Sequence, residues 1–182
     1  MERARQLVGE MLVYCFVVVL LTGGFLAFFY TPSGQTAMYD GSYAPLRGVM
    51  MSEAYESALR TSFEVRGGVL MRQLHHESSV LLVMGAVVWA LLGRFRYTLA
   101  LLGLGLGLLG GLAGYGSVDD LLAGTVLGKL PIPLWYGLHL LAALAMGVVL
   151  VISSYREAAR DPRTSAFMAL GLGLVVLVIF WL

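Results

Sequence analysis

The sequence predicts an all-α polytopic membrane protein: a bundle of four apolar helices with a fifth transmembrane helix after them. Three observations predict it. Hydrophobic residues make up 59% of the 182, and the mean hydropathy is +0.83. Charged residues make up 13%, about half the ~25% of an ordinary soluble domain. Five apolar runs approach the ~20 residues a helix needs to cross ~30 Å of hydrocarbon. This composition excludes an ordinary soluble domain and a disordered chain. A net charge of +1 leaves no basic stripe to neutralise phosphates, so no nucleic acid partner is expected. Cys15 is the one cysteine, which excludes a disulfide framework, a CxxC redox pair and a CxxCH attachment motif.

The first run, Met11–Tyr30, carries no charge. It is longer than a signal-peptide core and lacks an A-x-A-like cleavage site, so it is expected to stay as a span. A long polar segment from Thr31 to Gly68 follows. Within it Ser52, then Glu53, Ala54, Tyr55 and Glu56, has the pattern of an N-cap with acids in the first turn. A short surface helix and an irregular loop both remain open there. The second run, Val69–Leu92, keeps its polar residues in its first half. Gly93–Arg96 joins it to the third, Tyr97–Tyr115, so these two form a tight antiparallel pair. Pro133–Ile152 and Ala166–Leu182 are the fourth and fifth. All are read as helices, because backbone groups in lipid must be satisfied within the segment.

Loop charges set the expected orientation. With the N-terminus cytoplasmic, Arg3, Arg5, Arg94, Arg96, Arg156, Arg160 and Arg163 lie inside, against Arg47, Arg60, Arg66, Arg72 and Lys129 outside. The excess inside favours this orientation.

The polar groups kept within the spans are few. Arg72, His75, His76 and Ser79 fall at i, i+3, i+4 and i+7 on the second helix, and such a stripe should face the bundle interior. His75 and His139 each lie six residues past their helix's entry point, ~9 Å deep at 1.5 Å per residue. Two histidines at one depth suit a metal or a haem iron held between helices. Two imidazoles leave a tetrahedral zinc site half empty, and Glu77 is the one nearby carboxylate. The bland alternative is an interfacial histidine. It suits His76, which points ~100° from His75, better than His139 with its apolar neighbours. The third helix carries Gly103, Gly105, Gly107, Gly110, Gly111 and Gly114. Its GxGxxG match is spurious, since no strand precedes it. Close helix packing explains these glycines; room for a flat cofactor is the sharper alternative. On the first helix Gly9 and Gly23 stand fourteen residues apart, permitting the same use at two depths, with Gly24 leaving the position ambiguous.

Several longer stretches carry a family likeness. They are Leu21-Thr22-Gly23-Gly24-Phe25-Leu26-Ala27, Arg72-Gln73-Leu74-His75-His76 and Gly114-Tyr115, with the loop motifs Tyr39–Val49, Ser62–Gly68 and Asp119–Thr125. They resemble the N-terminal haem-binding half of cytochrome b from quinol:cytochrome c reductases, most of all the actinobacterial subunit of menaquinol:cytochrome c reductase. The likeness runs from about Leu7 to Arg163. It implies residues 1–163 as a four-helix haem-binding domain and 164–182 as the added helix. That core holds two stacked b haems, each ligated by one histidine from the second helix and one from the fourth. The resemblance carries the outer pair onto His75 and His139 as metal ligands. It puts Arg72 near a haem propionate and matches Gly23 and Gly114 to glycines that let the haem edge approach.

The inner ligand positions, fourteen residues further on, hold Trp89 and Ser153. Gly9 matches an inner-site glycine, but its counterpart on the third helix is Ala100. The family's quinol-oxidation loop, with its Pro-Glu/Asp-Trp-Tyr motif, has no counterpart in these residues. The expectation is therefore one haem b, bis-histidine ligated near the outer face, in an electron-transfer subunit of a quinol-linked respiratory complex. No residue is expected to be catalytic. Menaquinone, the lipid bilayer and other respiratory subunits are the expected partners, and the plasma membrane the expected location. The alternative is a haem-free structural or assembly subunit that keeps the same outer surface; a quinone- or haem-sensing protein is a weaker third.

Overall fold

The computed structural model describes residues 2–120, 123, 127 and 130–181. Six α-helices, one short 3-10 helix (Ala44–Leu46) and one small hairpin are found among the described residues. Helix α1 runs Glu2–Phe29, α2 Glu53–Phe63, α3 Gly68–Leu92, α4 Thr98–Val118, α5 Ile132–Arg160 and α6 Ser165–Trp181. Strands β1 (Thr36–Met38) and β2 (Met50–Ser52) pair antiparallel, Ala37 opposite Met51. Helices α1, α3, α4 and α5 are long and apolar enough to cross a membrane. Helix α6 has 17 residues, at the short end of the spanning range of ~17–25. The chain is a multi-pass membrane protein. Large apolar side chains face outward along every span, Phe28 91% exposed among them, as lipid requires.

The helices extend past the apolar runs. Helix α1 begins at Glu2 rather than near Met11, because its polar first turns find partners. Arg5 Nε pairs with Glu157 at 2.8 Å, Gln6 donates to the Asp161 carbonyl at 2.8 Å, and Arg163 Nε pairs with Glu10 at 2.6 Å. These contacts tie α1, the end of α5 and the start of α6 together. Helix α5 accordingly continues to Arg160, eight residues beyond the expected Ile152. Gly93–Tyr97 makes the tight turn expected between α3 and α4, with Arg94 and Phe95 at positive φ. Leu121, Leu122, Gly124, Thr125 and Lys129, used above in motifs and charge, lie outside the described residues, as does Leu182.

The long segment after α1 is a cap across one end of the bundle, here the α2 end. The helical alternative at Ser52 holds: Ser52 Oγ accepts from Tyr55 N–H at 3.2 Å, an N-cap. The hairpin before it was not expected, since strands of three residues carry no readable alternation. Arg60 centres the cap, bonded to Glu56 at 2.9 Å, Glu64 at 3.2 Å and Asp40. Its hydrogen bonds to Glu56 and Asp40 push the guanidinium still further up. Gly67, at φ +81°, and Gly68 turn the chain from α2 into α3. A Cβ on Gly68 would overlap the Thr61 carbonyl, so only glycine allows this corner.

Within the bundle α1 packs most extensively on α3, and α4 on α5. The continuous apolar core sits toward the N-terminal end, around Leu12, Leu82, Trp89, Ala100, Met146 and Leu150. The half nearer α2 holds the polar stripe.

Candidate metal centre

His75 on α3 and His139 on α5 meet across the two helix pairs. Their ring centres lie 6.1 Å apart with planes at 70°. Two imidazoles bound to one metal through bonds of about 2 Å place their ring centres roughly 6 Å apart.

Each ring is seated in a glycine notch of its own pair. A Cβ at Gly23 would stand 2.9 Å from His75 Cε1, and one at Gly114 would stand 2.8 Å from His139 Nδ1. Gly24 has nothing within 4 Å, so Gly23 is the one that matters. At both positions the absence of a side chain lets the imidazole lie directly against the helix backbone.

The notches also bring each ring to a backbone carbonyl. His75 Nδ1 lies 3.1 Å from the Val19 oxygen, and His139 Nδ1 lies 2.8 Å from the Gly110 oxygen. Val19 and Gly110 each precede their notch glycine by four residues, so both halves repeat one arrangement. A carbonyl oxygen only accepts, so each Nδ1 carries the proton and each Nε2 keeps its lone pair. That is the tautomer in which a metal-binding histidine is oriented from behind. His75 has a second partner: Thr22 Oγ1, 3.1 Å from Nδ1. Sequence reasoning missed Thr22, although it is the only Ser or Thr in α1.

The other polar residues separate. His76, expected in the inward-facing stripe, is exposed instead, because it points ~100° away from His75 around the helix. Ser79 bonds back to the His75 carbonyl at 2.6 Å. Arg72 Nη1 donates to Ser62 Oγ on α2 at 3.0 Å, and Arg72 forms no ion pair among the described residues. It stands one helical turn from His75, its charge unpaired among the described residues. Toward the α2 end, Tyr30 bonds the Ser117 carbonyl and its ring lies 5.0 Å from Tyr136. Among the described residues no group of three His, Cys, Asp or Glu side chains converges. The pair therefore suits a metal that brings its own remaining ligands.

The level fourteen residues away is built differently. Trp89 is fully buried and faces Gly9 on α1, where a Cβ would stand 3.4 Å from the indole Nε1. On α4 it faces Gly103, at 3.3 Å by the same measure. Ala100, expected as the α4 counterpart at this level, is itself fully buried, but Gly103 is the glycine that meets the ring. Tyr97 packs edge-on to Trp89 at 5.6 Å and bonds Ser153 at 2.8 Å. Of the other α4 glycines, Gly107 meets Val83 and Met146, Gly110 meets Ala142 and Gly116 meets Trp135, while Gly105 and Gly111 meet nothing within 4 Å. A cavity of about 190 Å³ lies among Val8, Leu12, Gly85 and Val175, and one of about 350 Å³ lies beside Glu2, Arg5 and Arg94. Neither borders the histidines.

A multi-pass helical membrane protein with one imidazole from each of two helix pairs is the class these residues define. No protein-family model matches the chain. The chain is 43% identical over 129 residues to the cytochrome b subunit of the cytochrome bc1 complex from Streptomyces coelicolor, covering 65% of this chain and 24% of that protein. It is 37% identical over 155 residues to the corresponding subunit of Corynebacterium efficiens, covering 80% and 27%. The Mycobacterium tuberculosis subunit is 43% identical over 128 residues, covering 65% and 23%. The chain is a relative of these actinobacterial cytochrome b subunits. It spans about a quarter of the length of the curated relatives it matches.

Proposed function

We propose that this chain is a mono-haem electron-transfer subunit of a quinol-linked respiratory complex, with one b haem between His75 and His139. The observation that carries this reading is the paired arrangement of the two rings. Each is notched by a glycine, each is oriented through Nδ1–H to a carbonyl, and their centres are 6.1 Å apart. Arg72, with no ion pair among the described residues, suits a propionate through its guanidinium fork. When bound, a haem would supply one-electron redox chemistry, with His75 and His139 as the residues that would hold its iron. The chain's own residues do the rest. Val19 and Gly110 hold the ring tautomers, Gly23 and Gly114 set the ring depth, and the surrounding spans exclude water.

The same residues argue against a second haem. Trp89 fills the equivalent notch, and neither Trp89 nor Ser153 is a haem ligand. A stepping stone ~21 Å along the helices is thereby missing in a hydrocarbon layer of ~30 Å. Electron exchange is confined to the α2 end, with quinol, menaquinol in the first instance, or another respiratory subunit as the partner. We place that end outside the plasma membrane with the N-terminus in the cytoplasm, residues 1–163 as the haem-binding unit and 164–182 as an added span.

The test is the absorption spectrum and haem-to-protein ratio of the purified protein. A bis-histidine b-type spectrum at one haem per chain is expected, and a colourless preparation rejects the proposal. A scaffold reading is favoured by one observation, the exposed Met38, Met50 and Phe63 on the cap. A colourless chain that co-purifies with respiratory subunits would select it.

A further inference from the structure

We propose that Thr22 is a positioning residue for His75 and makes the two imidazoles unequal; this rests on the haem site proposed above. The Nδ1–H of His75 has two acceptors, the Val19 carbonyl and Thr22 Oγ1, both at 3.1 Å. The Nδ1–H of His139 has one, the Gly110 carbonyl at 2.8 Å. The Thr22 hydroxyl hydrogen is already committed to its own helix, because Oγ1 lies 2.7 Å from the Val18 carbonyl and 3.2 Å from the Val19 carbonyl, both of which only accept. Toward His75 that oxygen therefore acts as an acceptor, which matches the donor role the Val19 carbonyl imposes on Nδ1.

The hydroxyl is also fixed in place. Thr22 is 5% exposed, and the back-bond to Val18 selects one of the few rotamers a β-branched side chain has in a helix. It sits directly before Gly23, so the residue that opens the notch and the residue that supplies the second acceptor are neighbours in sequence. Two acceptors on one N–H draw the proton further from the ring and enrich the opposite nitrogen. Thr22 thereby adds to the electron-donating power of His75, and that favours the oxidised iron.

Thr22→Val keeps the branched shape and removes the acceptor; Thr22→Ser keeps the acceptor. In the haem-free protein, Thr22→Val should shift the His75 Nδ1 resonance in a ¹⁵N-histidine spectrum and leave that of His139 in place. In the haem-loaded protein it should raise the midpoint potential and weaken haem binding about tenfold. Thr22→Ser should restore all three. A Thr22→Val protein with the native resonance, potential and affinity overturns the inference. Should Thr22→Val fail to fold, Thr22→Ala against Thr22→Ser makes the same comparison, and identical values for the two overturn it. A native chain that takes up no haem defeats the proposed function instead, and the His75 resonance then decides the role of Thr22 by itself.

Discussion

The indole of Trp89 occupies the notch that Gly9 leaves in α1, with Nε1 3.4 Å from where a Cβ would stand. Fourteen residues along both helices, His75 occupies the notch of Gly23. One geometric device, a ring from α3 set against a glycine of α1, is thus used at two depths. At one depth the ring can bind a metal. At the other it can only fill space, and the packed core gathers round it.

Trp89 therefore predicts both stoichiometry and stability. The native chain should bind one haem, measured as pyridine haemochrome against protein mass, and two haems per chain would contradict the filled lower level. Trp89→Ala removes the largest fully buried side chain, and truncating a buried Trp costs about 3–5 kcal/mol. Thermal unfolding in detergent should fall accordingly, with haem content per folded chain unchanged.

Gly23→Ala and Gly114→Ala should each displace an imidazole. The new Cβ would lie 2.9 and 2.8 Å from a ring atom, and the rings are not free to swing away, being bonded to Val19 and Gly110. Overpacking of this kind costs about 1–3 kcal/mol, and haem retention should drop at least tenfold. Gly24→Ala meets nothing within 4 Å and should be neutral or stabilising by about 0.5–1 kcal/mol, as glycine replacement in a helix interior generally is. Equal effects at positions 23 and 24 would refute the notch.

The ligand assignment separates adjacent histidines. His75→Ala and His139→Ala should abolish the b-type spectrum. His76→Ala, removing an exposed ring, should leave its band positions and intensity intact. Loss of the spectrum in the His76 variant alone would transfer the site to the other face of α3.

The spans were legible because apolar runs of membrane length have one satisfactory backbone solution. The shared depth of His75 and His139 followed from counting residues along those spans. Their ends were not legible. Arg3, Arg5, Gln6 and Glu10 look like loop residues until Glu157, Asp161 and Arg163 are brought beside them, a pairing across about 150 positions that no local pattern encodes. The choice of Gly23 over Gly24, and of Gly103 over Ala100, depends on helix rotation against a neighbour, which one sequence does not specify. The carbonyls of Val19 and Gly110 were invisible for a simpler reason: every residue has one.

Glu10 and Arg163 supply the last prediction. Glu10 is 5% exposed, yet it lies in a spanning helix. Arg163 meets it at 2.6 Å from the short connection between α5 and α6, and also donates to the Ser154 carbonyl at 2.7 Å. Removing one partner leaves a charge buried without compensation, which costs about 3–5 kcal/mol, whereas replacing both by apolar residues is often neutral. Arg163→Leu alone should therefore lower the unfolding temperature sharply and loosen α6. The Glu10→Leu, Arg163→Leu double variant should recover most of the loss. The measurement is a double-mutant cycle on thermal unfolding in detergent, with proteolysis between α5 and α6 as the local readout. Additive single effects, without recovery in the double variant, would mean that the pair does not hold α6 to α1 and that apolar packing of Gly171 against Tyr14 and Leu7 is sufficient.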